Sequence, residues 1–315
     1  MSSQSSDNNN EKDLVVVKSN FICVFAILLF AMGFPAAEYL LDDWDVVSVI
    51  TARNVFSFIL IFFIWLSLEG VQKVKSAKWF KGFVIGASGF GIGAFLILIL
   101  QSLTTPVIAA LAVATMPVFA VTLEMLFDAR KMTLWFFVGV TLVLWGGYIA
   151  SGASLSEGNI GFAILIGFLG VALFAWSSRA TVKNLPGMST LGQTAVTSYG
   201  MAGMSILLYF ICSNFLDLTN ISSTISLKHL GLVLIYAWLG LGISQILWIK
   251  AVSQLGIGIA SFHLNAVPFY VMFMLFLLGD LWVWHQAIGA LIVITGVVIA
   301  QQKSSKKKGK FFELP

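Results

Sequence analysis

GFVIGASGFGIGAFLILILQSL (residues 82–103) and GLVLIYAWLGLGISQILWIKAV (231–252) are two apolar stretches that can be laid over one another. Gly82, Gly91 and Gly93 then fall on Gly231, Gly240 and Gly242. A bilayer core about 30 Å thick needs about 20 mostly apolar residues per helix, so each stretch is long enough to cross. Further on, TMPVFA (115–120) falls on AVPFYV (266–271), pairing Pro117 with Pro268, and Gly139 and Gly146 fall on Gly289 and Gly296 after small loop adjustments. The register makes the chain a duplication.

The 315 residues are 59% hydrophobic and 10% charged, against about 25% charged in a soluble domain. That composition describes an integral membrane protein. Ten runs have the length of spanning helices: 20–40, 46–68, 80–101, 105–127, 133–151, 159–180, 190–212, 229–252, 257–279 and 282–301. Leu, Ala and Gly fill them without the polar alternation of an outer-membrane barrel, so the expected fold class is all-α. Residues 1–13 are polar, and 1–19 are expected to form a disordered tail ahead of a first helix that is retained and not cleaved. Cys23 and Cys212 lie inside spans, where a buried inert thiol is the ordinary outcome. The sequon Asn220-Ile-Ser222 falls in a loop.

Lysine and arginine collect in cytoplasmic loops. With the N-terminus inside, one face receives Lys12, Lys18, Lys73, Lys75, Lys78, Lys81, Arg130, Lys131, Arg179, Lys183, Lys250 and the run KSSKKKGK (303–310). The other receives Lys228 with Asp42, Asp43, Asp45, Glu157, Asp217 and Asp280, so both termini are expected to be cytoplasmic. The basic tail 302–315 reads as a contact with anionic membrane lipids and not with nucleic acid.

Five helices per copy, an odd number, would make the second copy enter the membrane from the opposite side. The expected domains are therefore inverted five-helix repeats over 20–151 and 159–301, an architecture that recurs in transporters with a site near the midplane. Pro117 and Pro268 sit well inside their helices, where proline removes a donor and clashes with the carbonyl four residues back. Symmetry-related kinks beside a central cavity and simple packing kinks are both open readings.

Several local patterns resemble one family. The second helix, VITARNVFSFIL (49–60), carries an arginine; the third is glycine-rich; the fourth has Pro-Val-Phe at its centre; the fifth reads G-x6-GG; and Gly279-Asp280 stands where a Gly-Glu pair is common. Together these resemble the drug/metabolite transporter superfamily in its EamA-type branch, over nearly all of 20–301. Met32 replaces a tryptophan of the family, and Asp128 only loosely matches its acidic position. The resemblance implies a ten-helix secondary transporter, an exporter or exchanger, in the bacterial inner (plasma) membrane. Family members handle amino acids, nucleotide-related metabolites, sugars and drugs.

Ionisable side chains at bilayer depth are costly and mark functional positions. Arg179, Lys183, Lys250, Glu124 and Asp128 fall near helix ends, but Arg53 lies about two turns inside helix 2 while Glu38 lies near the end of helix 1. Either the two form a structural bridge, or they serve a gate or bind a substrate carboxylate, for which the planar guanidinium is suited. His263 and Asn265 stand within two turns of Pro268 where the first copy has Ala112 and Ala114, and a helical rotation of about 200° keeps them out of one common cavity. His263 is read as a substrate or proton site or as a packing residue. Gln245 and Trp248 share a helix face, and Trp176 with Ser177, and Thr194, Ser198 and Tyr199, add further wall for an amphipathic solute; Trp and Tyr are also interface anchors.

The expected binding set is thus Trp176, Tyr199, Gln245, Trp248, His263 and Asn265, with Glu38, Arg53, Pro117 and Pro268 in gating or coupling. His229, His263 and His285 are scattered, no ligand spacing for a metal is seen, and no nucleophile with its base appears, so an enzyme is not expected. No cofactor and no ATP-binding subunit is implied. The expected function is alternating-access movement of a small organic metabolite, such as an amino acid; a passive channel or a sensor on the same scaffold is the competing reading.

Overall fold

Short polar side chains set where several helices begin. Asp45 accepts from the amide of Ser48 (2.9 Å), Thr105 from Ile108 (3.2 Å), Ser189 from Gly192 (3.0 Å) and Ser226 from His229 (3.3 Å), each satisfying an amide that the first turn leaves free. Pro106 follows Thr105 at a helix start, where its missing N–H costs nothing.

The computed structural model describes residues 2–127, 134–150, 158–216, 219 and 226–300, the side chains of 2–14 and 158–160 excepted. Asp128, Arg130, Lys131, Glu157, Asp217, the sequon at 220–222 and the tail at 302–315 lie outside the described residues. Among the described residues the helices are α1 (Ser2–Leu41), α2 (Val46–Lys75), α3 (Trp79–Leu103), α4 (Pro106–Phe127), α5 (Leu134–Ala150), α6 (Gly158–Asn184), α7 (Thr190–Leu216), α8 (Leu227–Leu255), α9 (Ile257–Leu277) and α10 (Trp284–Ala300). Eight are long and apolar enough to cross a membrane; α5 and α10, with 17 residues each, are apolar but shorter. No strand occurs among the described residues.

Helix α1 runs from Ser2, and its apolar span starts at Val15. Residues 2–19 contain neither Pro nor Gly, and each residue added to an existing helix gains a hydrogen bond without a new nucleation cost.

Both glycine-rich helices widen. Helix α3 is π-helical over Gly86–Gly91 and α8 over Ile235–Ile243, and the register that sets Gly91 on Gly240 makes the two wide turns begin at matching positions. Ser177 of α6 donates to the carbonyl of Ile85 (2.8 Å), at the start of the first wide turn. It reaches that carbonyl because Gly89 has no side chain: a Cβ there would collide with Ser177 Oγ.

Helices α5 and α10 pair closely. A Cβ on Gly146 would lie 2.7 Å from the carbonyl of Gly289, and one on Gly289 would lie 2.6 Å from the carbonyl of Gly146; Gly139 and Gly296 oppose each other in the same way. Helices α4 and α9 depart from α-geometry just ahead of their prolines. The amide of Thr115 bonds to Ala112 (3.0 Å) and that of Val118 to Thr115 (2.9 Å), while His263–Ala266 form a 3-10 turn before Pro268. Gly256, at φ 79°, makes the single-residue turn from α8 into α9.

The two ends of the bundle differ in charge. One carries Asp43, His229 and Asp280; the other carries Lys73, Lys75, Lys78, Lys183 and Lys250. At the first end His229 Nε2 lies 2.8 Å from Asp43 Oδ2, and Lys228 sits 5.6 Å from the centre of the Tyr39 ring. At the second, Ser19 donates to Gln254 Oε1 (2.6 Å), and Arg179 sits 4.9 Å from the centre of the Phe127 ring.

Candidate functional site

Helices α1, α2, α3, α6 and α8 surround a chamber of about 440 Å³ lined by Arg53, Gln101, Tyr236, Phe30, Phe174 and Leu241. A second chamber, of about 400 Å³, is walled by Gln245, Trp248, Met116 and Leu264. Phe30, Ile97 and Phe174 line both, so the two are neighbours across one apolar partition.

Arg53 is the charged group of this tract. It is 6% exposed, its Nε donates to Asn54 Oδ1 (3.1 Å), its Nη1 donates to Tyr236 Oη (3.2 Å), and the guanidinium lies 5.0 Å from the centre of the Tyr236 ring. Its Nη2 has no hydrogen-bond partner. A buried cation without an anion leaves much of its desolvation cost uncompensated.

Of the two readings of Glu38 and Arg53, the direct bridge is not formed. Gln101 donates to Glu38 Oε2 (3.2 Å) and to the carbonyl of Phe34 (2.9 Å). Glu38 faces instead a recess of about 610 Å³ at the Asp43 end, with Thr105, Asp280 and Gln286. The two charges are separated because α3 presents Gln101 to α1, while α8 presents Tyr236 to α2.

Gln245 and Trp248 line the second chamber together, as their shared helix face requires. Trp248 Nε1 donates to Ser178 Oγ (3.0 Å), and Ser178 donates to the carbonyl of Phe174 (2.9 Å), so the indole is held with its polar atom satisfied. Gln245 Nε2 has no partner. Pro117 and Pro268 are buried and do not line this chamber, although Met116 and Leu264 of the same helices do.

Four other expected binding residues do not line these chambers. Tyr199 is 40% exposed and stacks with Phe58, Trp79 and Phe83, because α7 turns that face outward. Trp176 packs into a cluster with Ile61, Trp65 and Ile85. His263 and Asn265 face a separate cavity of about 600 Å³ beside Val24 and Ile294. They share it, contrary to the expected 200° separation, because the 3-10 turn they occupy advances about 120° per residue and brings them nearer one side.

Gln101, Tyr236, Phe30 and Phe174 are site residues that sequence reasoning passed over. Gln101 had a signal, a lone amide closing the run LILILQ (96–101); the two phenylalanines are indistinguishable in sequence from other apolar positions.

Comparison with known proteins agrees with this architecture. Residues 17–152 match the EamA-like transporter family. The chain is 27% identical over 241 residues to the uncharacterized transporter YyaM of Bacillus subtilis (strain 168), covering 74% of this chain and 76% of that one. A solved crystal structure, 16% identical, superposes with a TM-score of 0.64 over 90% of this chain and 96% of the other, which shows a shared fold. Apolar helices around chambers that hold a few buried polar groups, together with the match to the EamA-like transporter family over residues 17–152 and the transporter relative, support reading the chain as an integral membrane transporter similar to that family.

Proposed function

We propose that the chain is a secondary carrier, an exporter or exchanger, that moves a small amphipathic metabolite bearing an anionic group, such as an amino acid, by alternating access. The observation that carries this reading is Arg53: a guanidinium 6% exposed, lining a chamber, with Nη2 unpartnered and no ion pair to a described residue. A carboxylate would supply the missing acceptor in the planar geometry that arginine favours. Aromatic walls at Phe30, Phe174 and Trp248 and the free amide of Gln245 suit the remainder of such a solute.

In this reading α5 and α10 also cross the membrane, giving ten helices in two inverted repeats. Matching wide turns in α3 and α8, irregular turns ahead of Pro117 and Pro268, and the reciprocal Gly146–Gly289 and Gly139–Gly296 contacts support that relation. The lysine-rich end faces the cytoplasm with both termini, and the Asp43 end faces outward, across the inner membrane of a bacterium. Ties at the two ends, Asp43–His229 and Ser19–Gln254, would open in turn as substrate shifts the balance between states, which requires different affinity in each.

The test is uptake of labelled metabolites into proteoliposomes holding the purified protein, with and without an imposed pH gradient. Saturable flux of carboxylate-bearing solutes, lost in Arg53→Gln, is the expected result. Gradient-independent flux would make it a facilitator or exchanger. Non-saturable flux would make it a channel, and flux indifferent to Arg53 would overturn the anion assignment.

A further inference from the structure

The cavity that His263 and Asn265 share belongs to neither central chamber. It lies between α1, α9 and α10, with Val24, Phe262, Phe269, Tyr270 and Ile294 in its wall, and only Ile27 stands on both this wall and that of the Trp248 chamber. Phe21 (72% exposed) and Phe25 (53% exposed) stand on α1 close in sequence to Val24, and they face lipid when the helix spans the bilayer. His263 is the seventh residue of α9, which places the cavity about 10 Å from that helix end, inside the hydrocarbon core.

Two polar groups are held there without a protein explanation. Asn265 is 8% exposed, and its Oδ1 has no hydrogen-bond partner. His263 Nδ1 lies 3.3 Å from the carbonyl of Ala260; a carbonyl only accepts, so a hydrogen bond there requires the proton on Nδ1, and the neutral ring in that tautomer offers Nε2 as an acceptor. By the proline register the first half has Ala112 and Ala114 at these positions. The cavity there, about 360 Å³, includes Ala112 and Thr115, and the Thr115 hydroxyl is already bonded to the carbonyl of Ala112 (2.6 Å). The polar pair therefore exists in one half only.

We infer that this cavity is a second, side-opening site for an uncharged amphipathic molecule carrying a hydroxyl on an aliphatic body, taken from the bilayer. An acyl chain has no donor to offer Asn265 Oδ1 or His263 Nε2, whereas an alcohol donates to one of them and lays its hydrocarbon against Phe262, Phe269 and Ile294. The part of it open to a water-sized group, about 320 Å³, falls at the low end of the range of ligand clefts. The site is independent of the anion assignment at Arg53.

The full chain in lipid nanodiscs is irradiated with a diazirine derivative of 1-octanol, and the adducts are mapped by mass spectrometry. Adducts are expected on Phe262–Tyr270 and Val24–Ile27, suppressed by excess 1-octanol and not by excess n-octane. Asn265→Leu, checked for unchanged elution and melting, lowers them about fivefold, the effect of one lost hydrogen bond, while adducts on the lipid-facing Leu144 and Leu207 persist. Adducts spread evenly over lipid-facing positions, or octane competing as well as octanol in the unaltered protein, would overturn the site whether or not the variant folds.

Discussion

Arg53 and Tyr236 are held together twice over, by a 3.2 Å hydrogen bond from guanidinium to phenol oxygen and by the 5.0 Å approach of the guanidinium to the ring. This contact joins α2 to α8 across the chamber and orients the guanidinium while leaving Nη2 free. Arg53→Gln is expected to lower kcat/KM for an anionic solute by about 10-fold or more, since hydrogen bonds to charged groups contribute about 1.5–3 kcal/mol. Tyr236→Phe keeps the ring and loses the hydroxyl, so its effect is smaller. Initial uptake rates against substrate concentration check the order; Tyr236→Phe exceeding Arg53→Gln would contradict it.

The Trp248–Ser178 pair permits a cleaner energetic test. Ser178→Ala leaves a buried indole N–H without an acceptor and is expected to destabilise by about 1–3 kcal/mol. In the double variant Ser178→Ala/Trp248→Phe the orphaned donor is gone, so the two effects fall short of additive. Unfolding in mild detergent measures the cycle, and strict additivity would mean the 3.0 Å bond contributes nothing.

Adjacent glycines on α5 should respond oppositely. Gly146→Ala places a Cβ against backbone atoms of α10, which have little room to move, and is expected to cost about 1–3 kcal/mol of stability. Gly147→Ala meets nothing within 4 Å and removes a helix-interior glycine, a gain of roughly 0.5–1 kcal/mol. Thermal melting of the two variants side by side decides; equal melting temperatures would refute the close pairing of α5 with α10.

At the Asp43 end, His229 has two roles. Its Nε2 meets Asp43 Oδ2 at 2.8 Å, and its Nδ1 accepts from the amide of Ser226 at 3.2 Å, completing a reciprocal cap on α8. Asp43 has a side chain 46% exposed, so its deletion is expected to cost no more than about 1 kcal/mol. His229→Ala also loses the cap, a further loss of about 0.5–2 kcal/mol. A double-mutant cycle on unfolding separates the terms, and Asp43→Ala proving the more damaging substitution would reverse this assignment.

Membrane character and helical class were legible from composition and run length, because the solvent itself demands about 20 apolar residues per crossing and internal satisfaction of the backbone. The prolines pointed to local irregularity in α4 and α9, since proline alters backbone geometry around itself, whereas the wide turns in α3 and α8 were not read from the sequence. Depth counting also placed Arg53 well inside its helix.

Partnership was another matter. Helical periodicity assigns a residue to a face, but which face meets which helix depends on the crossing of segments far apart in the chain. Glu38 and Arg53, neighbours across one short loop, are parted because Gln101 of α3 takes one and Tyr236 of α8 takes the other. Tyr199 and Trp176 have the chemistry of a binding wall and face elsewhere. His263 and Asn265 came together because a four-residue change of helical pitch altered their relative angle, which a uniform 100° per residue does not foresee. Residue type and spacing established what this chain could place in a membrane; the packing of α1, α2, α3, α6 and α8 settled which polar atoms face one another, because only close contact selects among the partners that each face could accept.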